Sequence, residues 1–513
     1  LLFLVAFMMV CFLQAEGWRT SEKQVVLTIE NATQAKALKT LKLSFDVLSQ
    51  NQVRAYVVPA ELAKIQQAGI SVKTEIENLE AWSQSKQFAD ASWHSYQDII
   101  DLVDSLVQEF PAFCKKVEFG QSMGGRQLVA LKISDNVDTD ENEAEVMFDG
   151  GIHGDEYCGP ENIIRFARDL CIGYNDDPDI TNLINNREIW LYLMVNPDGR
   201  YNVVRYNNNG VDLNRDWQYM WDQWGGSPGP CSQIESKALR ECMYNNQFVV
   251  HTTFHGGTEV VSLPWSYRPD QPTDWNHIYQ LAGVYSTTSL YSNLQYYQGY
   301  SGMYAINGST KDSNYGMMGS ISWSMEISND KYPPSSQIMN YYNKNYPAML
   351  AMIEYSGFGL EGIVTDAVTG DPVAATIFVN NYMQCFNDPE VGDYHKYVLA
   401  GTYDITVVAN GYETQTIEDV VVTSESSTAT DFQLQPEDGQ FVYRFTASQI
   451  PDNNYADEGW TPAVIGAPDM INYSIGKNGW VVLDMFQPVA DGSGSDIMVY
   501  EGDATPEGYT CYA

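Results

Sequence analysis

The chain has 513 residues, an ordinary apolar content of 44 % and a net charge of −38. It is long enough for several packed domains, and it lacks the basic face that binding a nucleic-acid backbone requires. No low-complexity tract dominates, so folded structure is expected throughout, with the excess of acid serving solubility.

The first element is an apolar run, Leu1–Leu13, followed by Ala15 and Glu16. At 13 residues it matches a secretory h-region and is short of the roughly 20 residues of a membrane span. A signal peptide over 1–15 is therefore expected, with delivery to the exterior, the cell surface or a periplasm. No later segment is apolar enough to cross a bilayer. Export permits disulfides. Seven cysteines follow the signal: Cys114, Cys158, Cys171, Cys231, Cys242, Cys385 and Cys511. Cys231 with Cys242, or Cys158 with Cys171, are candidate pairs, and the odd count leaves a thiol over.

Residues 24–78 read as a small α+β unit. Strands are predicted at 25–29, 53–59 and 71–76, and helices at 34–43 and 60–69. The polar stretch 78–92 reads as a linker. Residues 93–358 interleave apolar strands (129–134, 145–152, 188–196, 248–255, 321–328) with helices (162–171, 232–246). That alternation predicts an α/β domain whose mixed, mainly parallel sheet is covered by helices on both faces. Ligand sites in such a fold lie at the carboxyl ends of the strands. Residues 359–435 turn to short alternating strands with Gly/Asp turns, a β-sandwich pattern. Residues 436–513 read as an additional β domain, cut short at Ala513.

The chemistry begins at DGGIHGDEYCG (149–159), where an apolar strand runs into glycines and then His153 and Glu156. Two such ligands three residues apart at a strand end can reach one ion, and a catalytic zinc takes three protein ligands, leaving a fourth position for water. For the third, His255 closes the apolar strand FVVHTTFH before two glycines; His251, on the same face of that strand, is its rival. Strand-end position and close approach favour His255. His94, His277 and His395 have no such context.

These motifs, in this order across about 93–358, resemble the M14 family of zinc carboxypeptidases, and specifically its regulatory D/E/N-like branch. His153 and Glu156 match the family's HxxE ligands, and His255 matches its third. In VRYNNNGVDLNRDW (204–217), the resemblance implies that Asn214 and Arg215 grip the terminal carboxylate and that Arg205 polarises the scissile carbonyl. Arg205 lies 10 residues before Arg215, the branch's spacing, and NPDGRY (196–201) is also similar to that branch. Glu326, in SWSMEISNDKYP, matches the catalytic glutamate. Tyr304, 22 residues earlier, matches the mobile tyrosine, with Tyr315 the nearest competitor. Residues 359–435 resemble the branch's transthyretin-like domain, and 24–78 loosely resemble bacterial pro-regions that block the site until removed.

The physical chemistry agrees with those roles. A carboxylate beside an activated water can take its proton and return it to the leaving amine. A fixed arginine can stabilise the oxyanion, and a second can hold a carboxylate bidentately. Asp212 is a candidate acceptor fixing the tautomer of His153. The family's pocket floor falls on Lys311, seven residues after Tyr304, while the acidic position of basic-specific members falls on Ser266, eleven after His255. A buried ammonium there favours C-terminal Glu or Asp. If Lys311 instead points away or pairs with Asp312 or Asp330, the pocket is simply polar.

The expected protein is thus a monomeric, exported enzyme with one zinc per catalytic domain. It would act on peptide or protein C-termini, releasing single residues. The alternatives are a zinc deacylase or amidase on the same fold, against which Asn214, Arg215 and Tyr304 speak, and a non-catalytic exported binding protein, against which Glu326 speaks.

Overall fold

The computed structural model describes residues 21–41, 43–79, 81–82, 93–437, 441–450, 461–466, 473–475, 479–489, 497, 499, 510 and 511. The expected signal peptide, most of the 78–92 linker and much of 436–513 lie outside them.

Four strands, β1 (Lys23–Thr28), β2 (Ser44–Ser49), β3 (Gln52–Val57) and β4 (Ser71–Ile76), form one sheet in the order β2-β3-β1-β4. The helices Ala32–Thr40 and Pro59–Gln67 accompany them. Asn31 caps the first by accepting from the Gln34 amide. Val25, Leu27, Ala55, Val57 and Ile65 are the centre of a small separate core. The sequence pattern missed β2.

The principal sheet has eight strands: β5 (Cys114–Gln121), β6 (Gln127–Ile133), β7 (Ala144–Gly150), β8 (Arg187–Tyr192), β9 (Phe248–His255), β10 (Val260–Leu263), β11 (Gln295–Gln298) and β12 (Ile321–Glu326). Their order is β11-β10-β12-β9-β7-β8-β6-β5. The central run β12-β9-β7-β8 is parallel, and β10, β6 and β5 add antiparallel ladders. Every residue of β7 and β9 is buried, so both faces of the sheet are covered, as a parallel centre requires. The helices Cys158–Gly173 and Ile338–Ser356 pack on β7 and on each other, while Ile234–Asn245 packs on β5.

Two further strand-rich regions follow. Eight strands between Gly359 and Leu434 make two four-stranded sheets around their own core of Val364, Ile377, Ile405, Val407 and Phe432. Beyond them Arg444–Gln449 pairs antiparallel with Trp480–Asp484. Ser448 also bridges to Tyr219, tying this strand pair to the principal domain.

Neither candidate disulfide forms: Cys158, Cys171, Cys231 and Cys242 are free thiols. Cys158 and Cys171 sit at opposite ends of one helix, roughly 20 Å apart at 1.5 Å per residue. A disulfide needs Cα atoms within about 7 Å. Cys242 instead meets Tyr192, and Cys171 meets Cys114.

Candidate metal centre and substrate pocket

The carboxyl ends of β7, β9 and β12 converge on one cleft of about 520 Å³. β7 delivers the loop 151–157. Gly154 lets that loop cross the segment Gly199–Arg200, because a Cβ there would stand 1.9 Å from the Gly199 carbonyl carbon. Asn196 fastens the crossing: its amide donates to the carbonyls of Ile152 and Arg205, 3.3 and 3.2 Å away. One side chain thus sets the distance between the His153 loop and the Arg205 loop. On the other side β9 and β12 run parallel with His255 opposite Glu326. Neighbouring strands are about 4.8 Å apart, so the two side chains enter the cleft together.

His153, Glu156 and His255 are all buried, with one candidate ligand atom from each within 4.8 Å of the others. His153 Nδ1 lies 2.8 Å from Glu156 Oε1, and His255 Nδ1 lies 3.0 Å from Glu156 Oε2. The two Nδ1 atoms approach to 3.2 Å. Two ring nitrogens and a carboxylate aimed at one point are a donor set for a shared cation, and they suit zinc. His153 Nε2 faces Asp212 Oδ1 at 3.1 Å, which leaves Nδ1 for the metal. His251 lies elsewhere: its ring is fully buried between Asp149 (2.5 Å) and Ser322 (2.7 Å).

Arg205 borders this centre. Its Nε donates to Asp212 Oδ2 at 3.0 Å, and its Nη1 lies 3.4 Å from Glu156 Oε1. Burial works against the charge on Asp212 and Glu156, but their cationic neighbours outweigh it and hold both carboxyls well below the usual range. Arg205, Arg215 and His153 act on Asp212, and His153 and Lys331 on Glu156. Burial lowers the pKa of His255, keeping the ring in the neutral form a metal needs.

The opposite side of the cleft is different. Asn214 and Arg215 sit on a 3-10 turn, Leu213–Arg215, capped by Asp212, whose carboxylate accepts from the Asn214 amide at 3.0 Å. The side-chain amide oxygen of Asn214, Oδ1, accepts from the amide and the hydroxyl of Thr310 at 3.0 and 3.2 Å. Arg215 donates Nη1 to the Asn214 carbonyl, but its Nε and Nη2 have no hydrogen-bond partner among the described residues, although the residue is 1 % exposed. Lys311 lines the same cleft and donates to Ser262 Oγ at 2.8 Å. It does not pair with Asp312, which accepts from the Ser266 amide at 2.7 Å, nor with Asp330, which stands 3.8 Å from Arg54. Burial pulls the Lys311 ammonium down to about 8; Arg215 adds to the effect, and Asp312 and Glu326 oppose it.

Tyr304 also lines the cleft, its ring 4.7 Å from that of Phe45. Tyr315 is fully buried and donates to Asp274, so it is a core residue. Several cleft residues escaped the sequence reading, three of them next to groups already named. Phe45 and Tyr56 come from the N-terminal sheet, and Lys331 lies 3.5 Å from Glu156 and 3.9 Å from the Tyr56 ring. No motif marks Phe45 or Tyr56. Lys331 lies five residues after Glu326, on the loop that leaves β12.

Comparison with known proteins bears on this arrangement. Residues 99–348 match the model of the zinc carboxypeptidase family. This segment is an M14 zinc carboxypeptidase domain, of a hydrolase family. The chain is 27 % identical to carboxypeptidase D of Rattus norvegicus over 70 % of its own length and 29 % of that protein's. It is 28 % identical to the carboxypeptidase N catalytic chain of the same species, over 67 % of its length and 86 % of the relative's. It therefore spans less than a third of the carboxypeptidase D relatives it matches. Among solved structures, carboxypeptidase A from Helicoverpa armigera superposes with a TM-score of 0.57 at 18 % identity, covering 66 % of this chain and 98 % of that one, a likeness of fold. The zinc dependence of the family agrees with the donor set of His153, Glu156 and His255. No helix among the described residues is long and apolar enough to cross a membrane.

Proposed function

We propose that the protein is an exported zinc carboxypeptidase that removes single residues from peptide C-termini and prefers acidic ones. The observation that carries this reading is the His153–Glu156–His255 donor set in one cleft with Asn214, whose chain neighbour Arg215 is buried with Nε and Nη2 unpartnered among the described residues. A metal alone fits many hydrolases, but a buried, unpartnered guanidinium edge beside the cleft residue Asn214 suits a free terminal carboxylate.

His153, Glu156 and His255 would hold the zinc, which would supply Lewis acidity toward a carbonyl and an attacking water. Glu326, beside His255, takes the water's proton and passes it to the leaving amine. Arg205 stabilises charge on the scissile carbonyl oxygen. Arg215 and the Asn214 amide hold the substrate's terminal carboxylate, and Tyr304 closes over the bound peptide. Lys311 sits where the terminal side chain ends, amid the hydroxyls of Ser262 and Ser266, and an acidic side chain supplies the anion it lacks there.

The N-terminal unit, 24–78, acts as a pro-region. Phe45 and Tyr56 reach into the cleft, Tyr206 donates to Glu22, and Arg54 donates to the Asn329 carbonyl at 2.9 Å. Tyr304 packs against Phe45 and is not available to substrate while that contact lasts. Residues 359–435 are the transthyretin-like domain of the regulatory branch, and 436–513 a further β module. The leader over 1–15 directs export.

The test is amino-acid release from peptides ending in Glu, Asp, Lys, Arg, Leu or Phe. The full chain and the chain cleaved between 78 and 92 are assayed with zinc and with chelator. Chelator-sensitive release of one residue, fastest from Glu or Asp and faster after cleavage, is the expected outcome. Zinc-bound protein that releases nothing from any peptide would overturn the reading.

A further inference from the structure

The segment after Arg215 has no part in the site described so far. Trp224 lies with its ring 4.6 Å from the Arg215 guanidinium carbon. The loop that carries it is built to lie close: a Cβ on Gly225 would stand 2.4 Å from the Arg215 Cβ, and Gly225 and Gly226 both adopt positive φ (71° and 79°). One side of the loop is tied to Asp212, whose amide donates to the Gly225 carbonyl at 2.8 Å. The far end is tied to Asp216, whose carboxylate accepts from Ser227 (2.6 Å), the Ser232 amide (3.1 Å) and the Gln233 amide (2.9 Å).

We propose that Trp224 is a positioning residue that stacks on Arg215 and holds its free edge toward the substrate's terminal carboxylate. This rests on the carboxypeptidase reading of the cleft. A guanidinium bonds a carboxylate in its own plane and offers its faces for stacking, so the two contacts do not compete. Arg215 has one strong alternative, the buried Asp212 carboxylate, which already feels its charge. Swinging onto Asp212 would withdraw the clamp and disturb the hydrogen bonds that Asp212 makes to His153 and Arg205. Trp224 bars that movement, while Nε and Nη2 keep no partner among the described residues.

The experiment measures binding to the zinc-loaded chain after cleavage between 78 and 92 by calorimetry, with N-acetylglutamate and its α-amide as probes. Wild type, Trp224→Ala and Trp224→Phe are compared, and peptide hydrolysis by the wild type is followed beside them. The expected result for Trp224→Ala is about tenfold weaker binding of the free acid, with the amide unchanged. Trp224→Phe keeps most of the affinity, because a phenyl ring still stacks. Equal loss for acid and amide would mean that Trp224 only supports the fold; unchanged affinity for the acid, or no wild-type binding of it, would also overturn the proposal. Hydrolysis is a separate readout: acid binding without peptide cleavage defeats the peptidase reading and leaves the clamp standing.

Discussion

The two halves of the cleft handle buried charge in opposite ways. On the metal side, Glu156 and Asp212 are met by His153, Arg205 and Lys331, and Arg205 is held above the usual arginine range by Asp212 and Glu156 even though burial works against its charge. On the pocket side, Arg215 and Lys311 are just as buried. Their protein hydrogen bonds go to a carbonyl and a hydroxyl, and among the described residues neither makes an ion pair. An uncompensated buried cation is costly, so a fold retains one where a ligand brings the anion. The metal half is a closed network that fixes geometry. In the pocket half, the open one, Arg215 and Lys311 feel carboxylates, Asp212 for the one and Asp312 and Glu326 for the other, without pairing to them, and the proposed substrate adds a terminal carboxylate and an acidic side chain.

The largest effects belong to the closed half. Glu326→Gln keeps the shape of the side chain and removes its basicity, so kcat is expected to fall about a thousandfold while bound zinc, measured by metal analysis, stays stoichiometric. His255→Ala is expected to lose the zinc itself. If the two variants behaved alike, Glu326 would have no role apart from the metal ligands. In the open half, Lys311→Met is expected to cut the preference for a C-terminal Glu over Leu by at least about thirtyfold in kcat/KM. A preference that survives the change would mean that another group reads the side chain. Smaller still is the effect at the lid formed by the N-terminal sheet. Phe45→Ala in the uncleaved chain should raise activity about tenfold, by releasing Tyr304 and emptying part of the cleft; buried aromatic truncations of this kind cost about 3 kcal/mol, of which the contact at Tyr304 is only a share. Activity that depends only on cleavage, and not on Phe45, would assign the block to another part of the unit.

The legible parts of this molecule were those held close in sequence. The β7 loop carries His153 and Glu156 within four residues, and the strand that ends in His255 announces itself by the β-branched and aromatic residues of FVVHTTF. Asp212 could be named because it sits two residues before Asn214 and on the same turn. Three long helices went unread. In Tyr96–Glu109 the pattern was available, with Ile99, Ile100, Val103 and Leu106 on one face. In Trp275–Thr288 and Ile338–Ser356, polar and aromatic residues blur the period, and the second contains Pro347. What no local pattern carries is contact between distant segments. Phe45 meets Tyr304 across more than 250 residues of chain, and Trp224 meets Arg215 only because two glycines fold its loop back. The Cys158–Cys171 candidate failed for the same reason. Short spacing along the chain stood in for distance, and a helix carried Cys158 and Cys171 apart.

The smallest predicted effect is the most specific to the open half, because it follows from the pull on Lys311. Burial brings its ammonium from 10.5 down to about 8. Below that value the charge is present and attracts an acidic side chain; above it the attraction fades. Preference for Glu over Gln in kcat/KM, which reports the free enzyme, should therefore be flat from pH 6 to 7 and fall to about half near pH 8. The same group acts on stability with a definite sign. Between about 8 and 10.5 the unfolded chain holds a proton that the folded chain has released, so this group makes stability rise with pH across that window. Lys311→Met removes the term. Its thermal midpoint should exceed that of the wild type at pH 7, and the gap should narrow as the pH approaches 10. A gap that does not change with pH would mean that Lys311 stays charged throughout, so that a protein carboxylate compensates it and the two halves of the cleft are alike.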